Sequence, residues 1–235
     1  MNAGLQLSVV AATGLIREAR IAADPRVRAV AGGGDAAYLA DALEREARRG
    51  ACGIISFGIA GGLRSGFPAG TWLIGKSVAT LTSRWHCDDA WTRTLCERLP
   101  GAVVVDLAGS DAPVTEPAAK RTLHAATHAT AVDMESHVAA RIAAAHRLPF
   151  AAFRVVADTV ERTLPTAATI ALAPGGTING GAVARSLARR PGQIPLLVQS
   201  AIDARAALRA LLRGRRRLGA ALGYPDLREL AFDVR

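Results

Sequence analysis

The chain has 235 residues, half of them hydrophobic and 21% charged, a composition that excludes an intrinsically disordered protein. Its net charge of +9 is carried almost wholly by arginine, since lysine occurs only at Lys76 and Lys120. Such a charge favours acidic partners (phosphate, nucleic acid or an anionic membrane), with a solvated basic surface as the alternative. The three cysteines have no Cys-x-x-Cys spacing, which argues against a disulfide framework or a zinc site and fits a reducing cytoplasm.

Strands alternate with helices along the chain. Apolar runs predict strands at 5–14, 26–35, 51–63, 69–83, 102–114, 130–134 and 149–158. Helical spacing predicts helices at 35–49, 117–127, 134–147 and 194–212, the first of them capped by Asp35. This alternation predicts an α/β fold, a single three-layer domain with a central mixed β-sheet flanked by helices. We expect the residues from Gly214 onward to form a polar appendage.

A glycine-rich turn follows the third predicted strand. In "SFGIAGGL", Gly58, Gly61 and Gly62 leave room for backbone N–H groups to approach an oxyanion or a phosphate. The alternative is a tight turn between a strand and a helix. The spacing matches neither the G-x-G-x-x-G fingerprint nor a P-loop, which argues against a dinucleotide-binding or P-loop enzyme.

Carboxylates stand at a predicted helix start and at a predicted strand end. In "AVDMES", Asp133 and Glu135 flank Met134, where a carboxylate can accept hydrogen bonds from ribose hydroxyls and the thioether can lie against the sugar. Asp158 ends a strand, and ligands of α/β sheets bind outside the carboxyl ends of strands. Its apolar neighbours would raise its pKa and suit it to general acid catalysis. Taken singly, these carboxylates fit helix-start charges and an ordinary cap better than a functional site.

Taken together, the motifs resemble one family. "SFGIAGGL", "AVDMES" and "PFAAFRVVAD" are similar, in this order, to stretches of the purine nucleoside phosphorylase and nucleosidase superfamily. "TGLIREARI", "VDMESHVAARIA" and "GGTINGGAVARSLARRPGQIPLL" are similar to its hopanoid-associated phosphorylases. The resemblance implies a nucleoside phosphorylase-like domain over 1–235, with 163–235 as a family-divergent helical C-terminal part. It also implies phosphorolysis of a 5′-substituted adenosine, adenosylhopane, with release of adenine in hopanoid biosynthesis.

The resemblance implies roles for individual residues. Asp158 and Glu18 would be catalytic, the first at N7 of the purine and the second at the nucleophile. Met134 and Glu135 would bind the ribose. The implied base-binding residues are Ser110, Asp111 and Arg154. The implied phosphate or nucleophile site is formed by Gly58, Gly61 and Gly62. No metal and no cofactor are implied, and phosphate would be a co-substrate.

Two departures from the family pattern leave the nucleophile open. Ile59 stands where the family has a serine, and Ser56 stands where hexameric bacterial phosphorylases have a phosphate-binding arginine. Glu18 matches the glutamate that activates water in nucleosidases, so hydrolysis of nucleosides like methylthioadenosine or S-adenosylhomocysteine is the alternative. A basic nucleic-acid-binding module is an alternative of another class, but the arginines are dispersed and aromatic residues make up only 4%.

The C-terminal part suggests partners besides a small-molecule nucleoside. The predicted helix carries Arg205, Arg209 and Arg213 at four-residue intervals, so residues 196–217 could make a peripheral contact with an anionic membrane that holds a lipid-linked nucleoside. The alternative is a packed helix with a solvated basic face and an oligomer contact. The resemblance implies a homo-oligomer and no nucleic acid partner. The N-terminus lacks the pattern of a signal peptide, so we expect a cytoplasmic protein. Its basic helix could also place it at the surface of the inner membrane.

Overall fold

An eight-stranded β-sheet forms the centre of the fold. The computed structural model describes residues 8–165, 172–173, 177–178 and 180–225. The strands of the sheet are β1 (Ser8–Thr13), β2 (Val27–Ala31), β3 (Ala51–Gly62), β4 (Trp72–Ala79), β5 (Arg84–His86), β6 (Val103–Gly109), β7 (Ala131–Asp133) and β8 (Phe150–Asp158). Two short strands, β9 (Leu172–Ala173) and β10 (Thr177–Ile178), pair separately.

Seven helices accompany these strands in the described ranges. They are α1 (Ile16–Ala22), α2 (Ala36–Arg48), α3 (Asp89–Arg98), α4 (Pro117–Thr127), α5 (Ser136–Ala145), α6 (Gly180–Arg189) and α7 (Ile194–Leu218). Short 3-10 turns cover Pro191–Gln193 and Ala220–Gly223. The sequence does not predict α3, because its residues are mostly polar and only Trp91 and Leu95 are buried.

The sheet is mixed, as the sequence predicts. Its order is β2-β1-β3-β7-β6-β4-β5, and β8 pairs in parallel with β3 and antiparallel with β4. Strands β3, β7, β6, β4 and β8 therefore form a closed ring of pairings. All nine residues of β8 are buried, which explains why its sequence is an almost unbroken apolar run.

The strand register brings the carboxylates of the sequence motifs towards one place. Gly61 of β3 pairs with Asp158 of β8 on one side and with Val132 of β7 on the other. Asp133, the last residue of β7, pairs with Gly109 of β6. The ends of β7 and β8 therefore flank the end of β3, and side chains that follow these ends can share a single site.

Helices cover both faces of the sheet. Helices α2 and α5 pack against each other, and α7 packs along β8. One apolar cluster contains Trp91 and Leu211, and a second contains Leu39 and Val138. Asp35 caps α2 as predicted, since its carboxylate accepts a hydrogen bond from the backbone N–H three residues on at 2.9 Å.

Residues 214–225, the described part of the predicted appendage, pack against the core, so that prediction was wrong for them; residues 226–235 lie outside the described ranges. Gly214 and Leu218 are buried, and the ring of Tyr224 packs edge-on against Trp91 with 4.9 Å between ring centroids. The hydroxyl of Tyr224 donates to the carbonyl of Cys52 at 2.9 Å. The arginine run 215–217 hides the helical spacing of these buried positions in the sequence. Within the described ranges, no helix is both long enough and apolar enough to cross a membrane.

Candidate active site

A cavity of about 280 Å³ lies where the ends of β7 and β8 meet the end of β3, in which Gly58, Gly61 and Gly62 are paired strand residues and not the predicted turn. The loop after β1, the loop after β6 and one face of α7 complete its wall. Much of the wall is apolar, but four carboxylate side chains lie in it: Glu18, Asp133, Glu135 and Asp158. An apolar wall with a few placed polar groups is typical of a small-molecule site.

Glu18 is held by a cradle of backbone N–H groups. Its Oε2 accepts hydrogen bonds from the N–H groups of Gly14 and Leu15, each at 2.8 Å, and its Oε1 accepts one from Ile59 at 2.8 Å. Glu18 is the third residue of α1, so its side chain folds back onto the start of its own helix. Burial raises the pKa of Glu18, while Arg154 and the three N–H groups oppose the rise. The result is a buried carboxyl in one fixed orientation.

The guanidinium of Arg154 is completely buried among carboxylates. Its Nη2 lies 3.0 Å from Oδ1 of Asp133 and its Nη1 lies 3.3 Å from Oε2 of Glu135. Nη2 also donates to the hydroxyl of Ser56. Burial alone would lower the pKa of Arg154, but Asp133, Glu135 and Glu18 raise it, so the guanidinium stays charged. Arg154 therefore positions and neutralises the acidic groups at this part of the cavity.

Glu135 faces the cavity with a strongly altered proton affinity. Burial raises the pKa of Glu135 to about 8; Arg154 opposes the rise, and Asp133 and Glu18 add to it. The close packing requires glycine at Gly14, since a Cβ there would lie 2.8 Å from Oε1 of Glu135. Near neutral pH this carboxyl can therefore exchange a proton.

Asp133 has a structural role. Its Oδ1 accepts hydrogen bonds from the N–H groups of Glu135 at 2.9 Å and Ser136 at 2.6 Å, and its Oδ2 accepts one from the Ser136 hydroxyl at 2.6 Å. These bonds satisfy N–H groups at the start of α5. Of the two interpretations of "AVDMES", the helix-start charge therefore describes Asp133, while Glu135 keeps its carboxylate at the cavity.

A second buried ion pair lies at the end of β8. Oδ2 of Asp158 accepts a short hydrogen bond from Nζ of Lys120, a residue of α4. Lys120 also donates to the carbonyls of Thr159 and Arg162, each at 2.9 Å. Burial raises the pKa of Asp158, and Lys120 opposes the rise. Sequence reasoning missed Lys120, although one of only two lysines in an arginine-rich chain is a signal that could have identified it.

The structure brings part of the predicted site to the cavity wall. The predicted residues in the wall are Glu18, Gly61, Met134, Glu135 and Asp158. The predicted residues outside it are Gly58, Gly62, Ser110, Asp111 and Arg154.

Two of the predicted glycines act by making room. A Cβ on Gly58 would lie 2.6 Å from Oε1 of Glu18, and a Cβ on Gly62 would lie 3.0 Å from the carbonyl oxygen of Asp158. These glycines allow the carboxyl-bearing elements to approach β3, whereas Gly61 lies in the wall itself.

The loop after β6 lines the cavity through the residues that follow Ser110 and Asp111. The hydroxyl of Ser110 donates to the carbonyl of Ala112 at 2.7 Å, and the exposed Asp111 contacts the ring of His137 at 2.9 Å. Ala112, Pro113 and Val114 form the wall.

No group of three or more His, Cys, Asp or Glu side chains that could hold a metal ion occurs among the residues described. The guanidinium of Arg154 lies beside the acidic part of the cavity, but it is already paired with Asp133 and Glu135.

The mixed sheet, its flanking helices and the carboxylates gathered at its strand ends define an α/β fold of the nucleoside phosphorylase type. The chain belongs to the Phosphorylase superfamily, whose sequence profile matches residues 24–189. Glu18 precedes the matched range. No relative among curated protein sequences matches the chain.

Solved structures of three proteins illustrate the shared fold. The 5′-methylthioadenosine/S-adenosylhomocysteine nucleosidase of Colwellia psychrerythraea, solved with adenine, has a TM-score of 0.63 at 13% identity and covers 90% of this chain and 96% of its own. The corresponding nucleosidase of S. pneumoniae has a TM-score of 0.60 at 14% identity, with 90% and 100% covered. Futalosine hydrolase of Helicobacter pylori has a TM-score of 0.57 at 13% identity, with 65% and 88% covered.

Proposed function

We propose that this protein cleaves the N-glycosidic bond of a 5′-substituted adenosine, with water as the nucleophile, and releases adenine. The placement of Glu18 carries the proposal. Its buried carboxylate is fixed by three backbone N–H groups in a cavity wall that also contains Glu135 and Met134. The structural relatives named above include a nucleosidase solved with adenine and a futalosine hydrolase, which supports this direction.

The leaving base would be activated by Asp158. Cleavage of the bond between C1′ and the base leaves the bonding electrons on adenine, and a proton at N7 makes adenine a better leaving group. Burial raises the pKa of Asp158, which favours the protonated form that can donate. Asp158 becomes the carboxylate as N7 gains the proton.

The sugar would be held and stabilised by Glu135 and Met134. A carboxyl of Glu135 can accept hydrogen bonds from the 2′ and 3′ hydroxyls, which fixes the ribose for reaction. When ionised, its charge also favours the positive charge that develops on the sugar. The thioether of Met134, in the same wall, offers an apolar contact for the sugar face.

Water fits the nucleophile better than phosphate does. The backbone N–H groups that would cradle an oxyanion already bind Glu18, and Arg154 is neutralised by Asp133 and Glu135. An incoming phosphate would face carboxylates in a buried setting, where repulsion is strong. Water instead can bond to C1′ and give its proton to Glu18. Phosphorolysis, which the sequence resemblance implies, is the second candidate, and the net charge of +9 favours it by attracting phosphate.

For the 5′ substituent we propose an apolar group, and adenosylhopane in hopanoid biosynthesis is the substrate that the sequence resemblance implies. Apolar side chains in the wall, among them Leu15, Ile59, Val114 and Leu164, support a nucleoside that carries a lipid. Methylthioadenosine and S-adenosylhomocysteine-like nucleosides are the alternative substrates, because each is also an adenosine with a thioether substituent at the 5′ carbon.

Helix α7 supports a further proposal about location. Its first half exposes Ile194, Val198 and Ile202, which are 48%, 53% and 56% exposed, and its second half exposes arginines. We propose that this face of a cytoplasmic protein makes a peripheral contact with an anionic membrane. Contact with a second copy in a homo-oligomer is the other occupant that an apolar face of this kind fits.

Adenine release from 5′-methylthioadenosine, with and without phosphate, tests the reaction. We expect adenine and a free sugar in both buffers, at rates that differ less than about twofold, since hydrolysis does not consume phosphate. A ribose 1-phosphate type product in mass spectra would establish phosphorolysis instead. Absence of adenine release from this nucleoside and from adenosines with longer apolar 5′ groups would contradict the proposal as a whole.

A further inference from the structure

We propose that Lys120 is the positioning residue for Asp158: it holds one carboxylate oxygen of Asp158 and thereby directs the other oxygen towards the base. The inference rests on the function proposed above, in which Asp158 protonates the leaving base. Nothing in the sequence motifs points to this lysine, which lies in the middle of α4.

The ammonium of Lys120 has no donor left for a ligand. An ammonium group has three N–H donors. Those of Lys120 go to Oδ2 of Asp158 and to the carbonyls of Thr159 and Arg162. The side chain is fully buried and is not part of the cavity wall, whereas Asp158 is. Any effect of Lys120 on a ligand therefore passes through Asp158 or through the chain that follows it.

Both oxygens of Asp158 lie close to the end of β3. Gly61 pairs with Asp158 in the sheet, and a Cβ on Gly61 would lie 3.3 Å from Oδ1 and 3.4 Å from Oδ2 of Asp158. Because Lys120 occupies Oδ2, Oδ1 is the oxygen available at the wall that Gly61 and Asp158 share. The carboxyl is thus fixed between a backbone surface and a buried cation, and only one of its oxygens can serve the base.

Lys120 also fastens the segment that follows Asp158. Its bonds to the carbonyls of Thr159 and Arg162 join this segment to α4, and the N–H of Leu164 donates to the carbonyl of Thr115 at 3.0 Å in the same region. Leu164 lies in the cavity wall. One side chain therefore connects the proposed acid to a part of the wall around it.

The charges that face Asp158 come from three elements. Lys120 lies on α4, Arg162 follows β8, and Asp203 lies on α7, where it pairs with Arg162 at 3.3 Å. Burial raises the pKa of Asp158, Lys120 lowers it, Asp203 raises it and Arg162 lowers it. Loss of the Lys120 charge therefore raises the proton affinity of Asp158 further. If protonated Asp158 is the active form, the high-pH limb of the rate profile then moves to higher pH.

Lys120→Met tests this inference, with Lys120→Arg as the variant that keeps the charge. With 5′-methylthioadenosine as the probe, we expect Lys120→Met to lower kcat about tenfold or more while KM changes less than about threefold, because orientation and not binding is lost. The high-pH limb should move upward in Lys120→Met, and Lys120→Arg should restore its position. Lys120→Gln replaces the Met variant if circular dichroism shows that the latter does not fold.

A double-mutant cycle separates positioning from general structural support. In the Asp158→Asn background, Lys120→Met should have no further effect on kcat, since the group that Lys120 positions is already gone. An equal loss of kcat in both backgrounds, or an unmoved pH profile, would overturn the inference. Carbon-13 titration of aspartate carboxyls in the ligand-free protein gives an answer even if the protein releases no adenine. An unchanged titration of Asp158 in Lys120→Met would refute the role of Lys120, whatever the reaction.

Discussion

Oε1 of Glu18 lies 2.8 Å from the backbone nitrogen of Ile59, a residue 41 positions further along the chain. The bond fixes the start of α1 against β3, so the proposed base for water is held by a distant strand as well as by its own helix. Gly58 makes this approach possible, because a Cβ there would lie 2.6 Å from Oε1 of Glu18 and 2.7 Å from Nη1 of Arg154. The position of the Glu18 carboxylate and its distance from the charge of Arg154 thus depend on a few close contacts.

Replacement of Glu18 by glutamine should abolish most activity and preserve the fold. The amide keeps the size of the side chain but cannot accept a proton from water, so we expect kcat for adenine release to fall by a factor on the order of 10² or more. Glu97→Gln is the control, because it makes the same chemical change at an exposed site on α3. Similar kcat values for Glu18→Gln and the wild type would remove Glu18 from the mechanism.

Gly58→Ala should damage the site through packing alone. Its methyl group would overlap both Glu18 and Arg154, and overpacking of this kind typically costs about 1–3 kcal/mol of folding free energy. We expect at least about a tenfold loss of kcat/KM together with a lower midpoint of urea unfolding. Gly180→Ala is the matched control, since a Cβ at Gly180 meets no described residue within 4 Å. Equal effects of the two substitutions would show that the contact with Glu18 is unimportant.

The sequence predicts the sheet and the main carboxylates because both leave local signals. The buried run of β8 and the cap at Asp35 are visible as apolar and polar patterns of adjacent residues. The different roles of Asp133 and Glu135 are not visible in the sequence, since both lie at the end of the same strand and only the fold decides which carboxylate bonds to the start of α5. The local sequence pattern also fails to identify Lys120, because its burial depends on a partner 38 residues away.

The C-terminal residues show the same limit. Tyr224 looks like part of a polar tail in the sequence, yet it packs against Trp91 and bonds to the carbonyl of Cys52, 172 residues earlier. Contacts at such separations are fixed by the packing of α7 along β8 and not by neighbouring residues. Which residues of the loop after β6 line the cavity is likewise a tertiary property, because it depends on which side of the loop faces the protein.

The pH dependence of the free energy of unfolding should reveal the raised pKa of Glu135. Burial raises the pKa of Glu135 from an ordinary value of 4.5 to about 8. Between these values the folded state keeps a proton that the unfolded state has lost, so the free energy of unfolding falls as pH rises from about 4.5 to about 8. Glu135→Gln lacks this contribution. Urea unfolding at pH 5, 6.5 and 8 should therefore show the wild type losing stability relative to the variant as pH increases.

Ionisable groups that do not interact with Glu135 are common to both proteins and cancel in the difference between them. A difference in unfolding free energy between wild type and Glu135→Gln that stays constant from pH 5 to pH 8 would mean that the pKa of Glu135 is not raised.

Asp158→Asn should separate base activation from substrate binding. The amide can still contact the base but has no acidic proton for N7, so we expect kcat to fall by a factor on the order of 10² or more. KM for 5′-methylthioadenosine should change far less. Asp41→Asn, at an exposed position of α2, provides the control for loss of one negative charge. Near-normal kcat in Asp158→Asn would exclude the proposed acid.

The proposed membrane contact of α7 can be tested by removing exposed positive charges from this helix. Arg205, Arg209 and Arg213 are exposed, whereas Arg215 pairs with Asp24 at 3.0 Å and is best left intact. We expect the wild type to co-sediment with anionic liposomes at low salt. Changing the three exposed arginines to glutamine should weaken binding on the order of 100-fold, since each basic residue near an anionic surface contributes about 1 kcal/mol.

A control variant with the same net charge tells a specific face from general attraction. It carries glutamine at three exposed arginines on other helices: Arg93, Arg121 and Arg141. If α7 contacts the membrane, this control should bind liposomes nearly as well as the wild type, because its lost charges lie on α3, α4 and α5. Equal weakening in both variants would mean that net charge alone drives the binding. No binding by the intact protein at low salt would reject the membrane contact, and the apolar first half of α7 would then be examined as a contact between copies by measuring the molecular mass in solution.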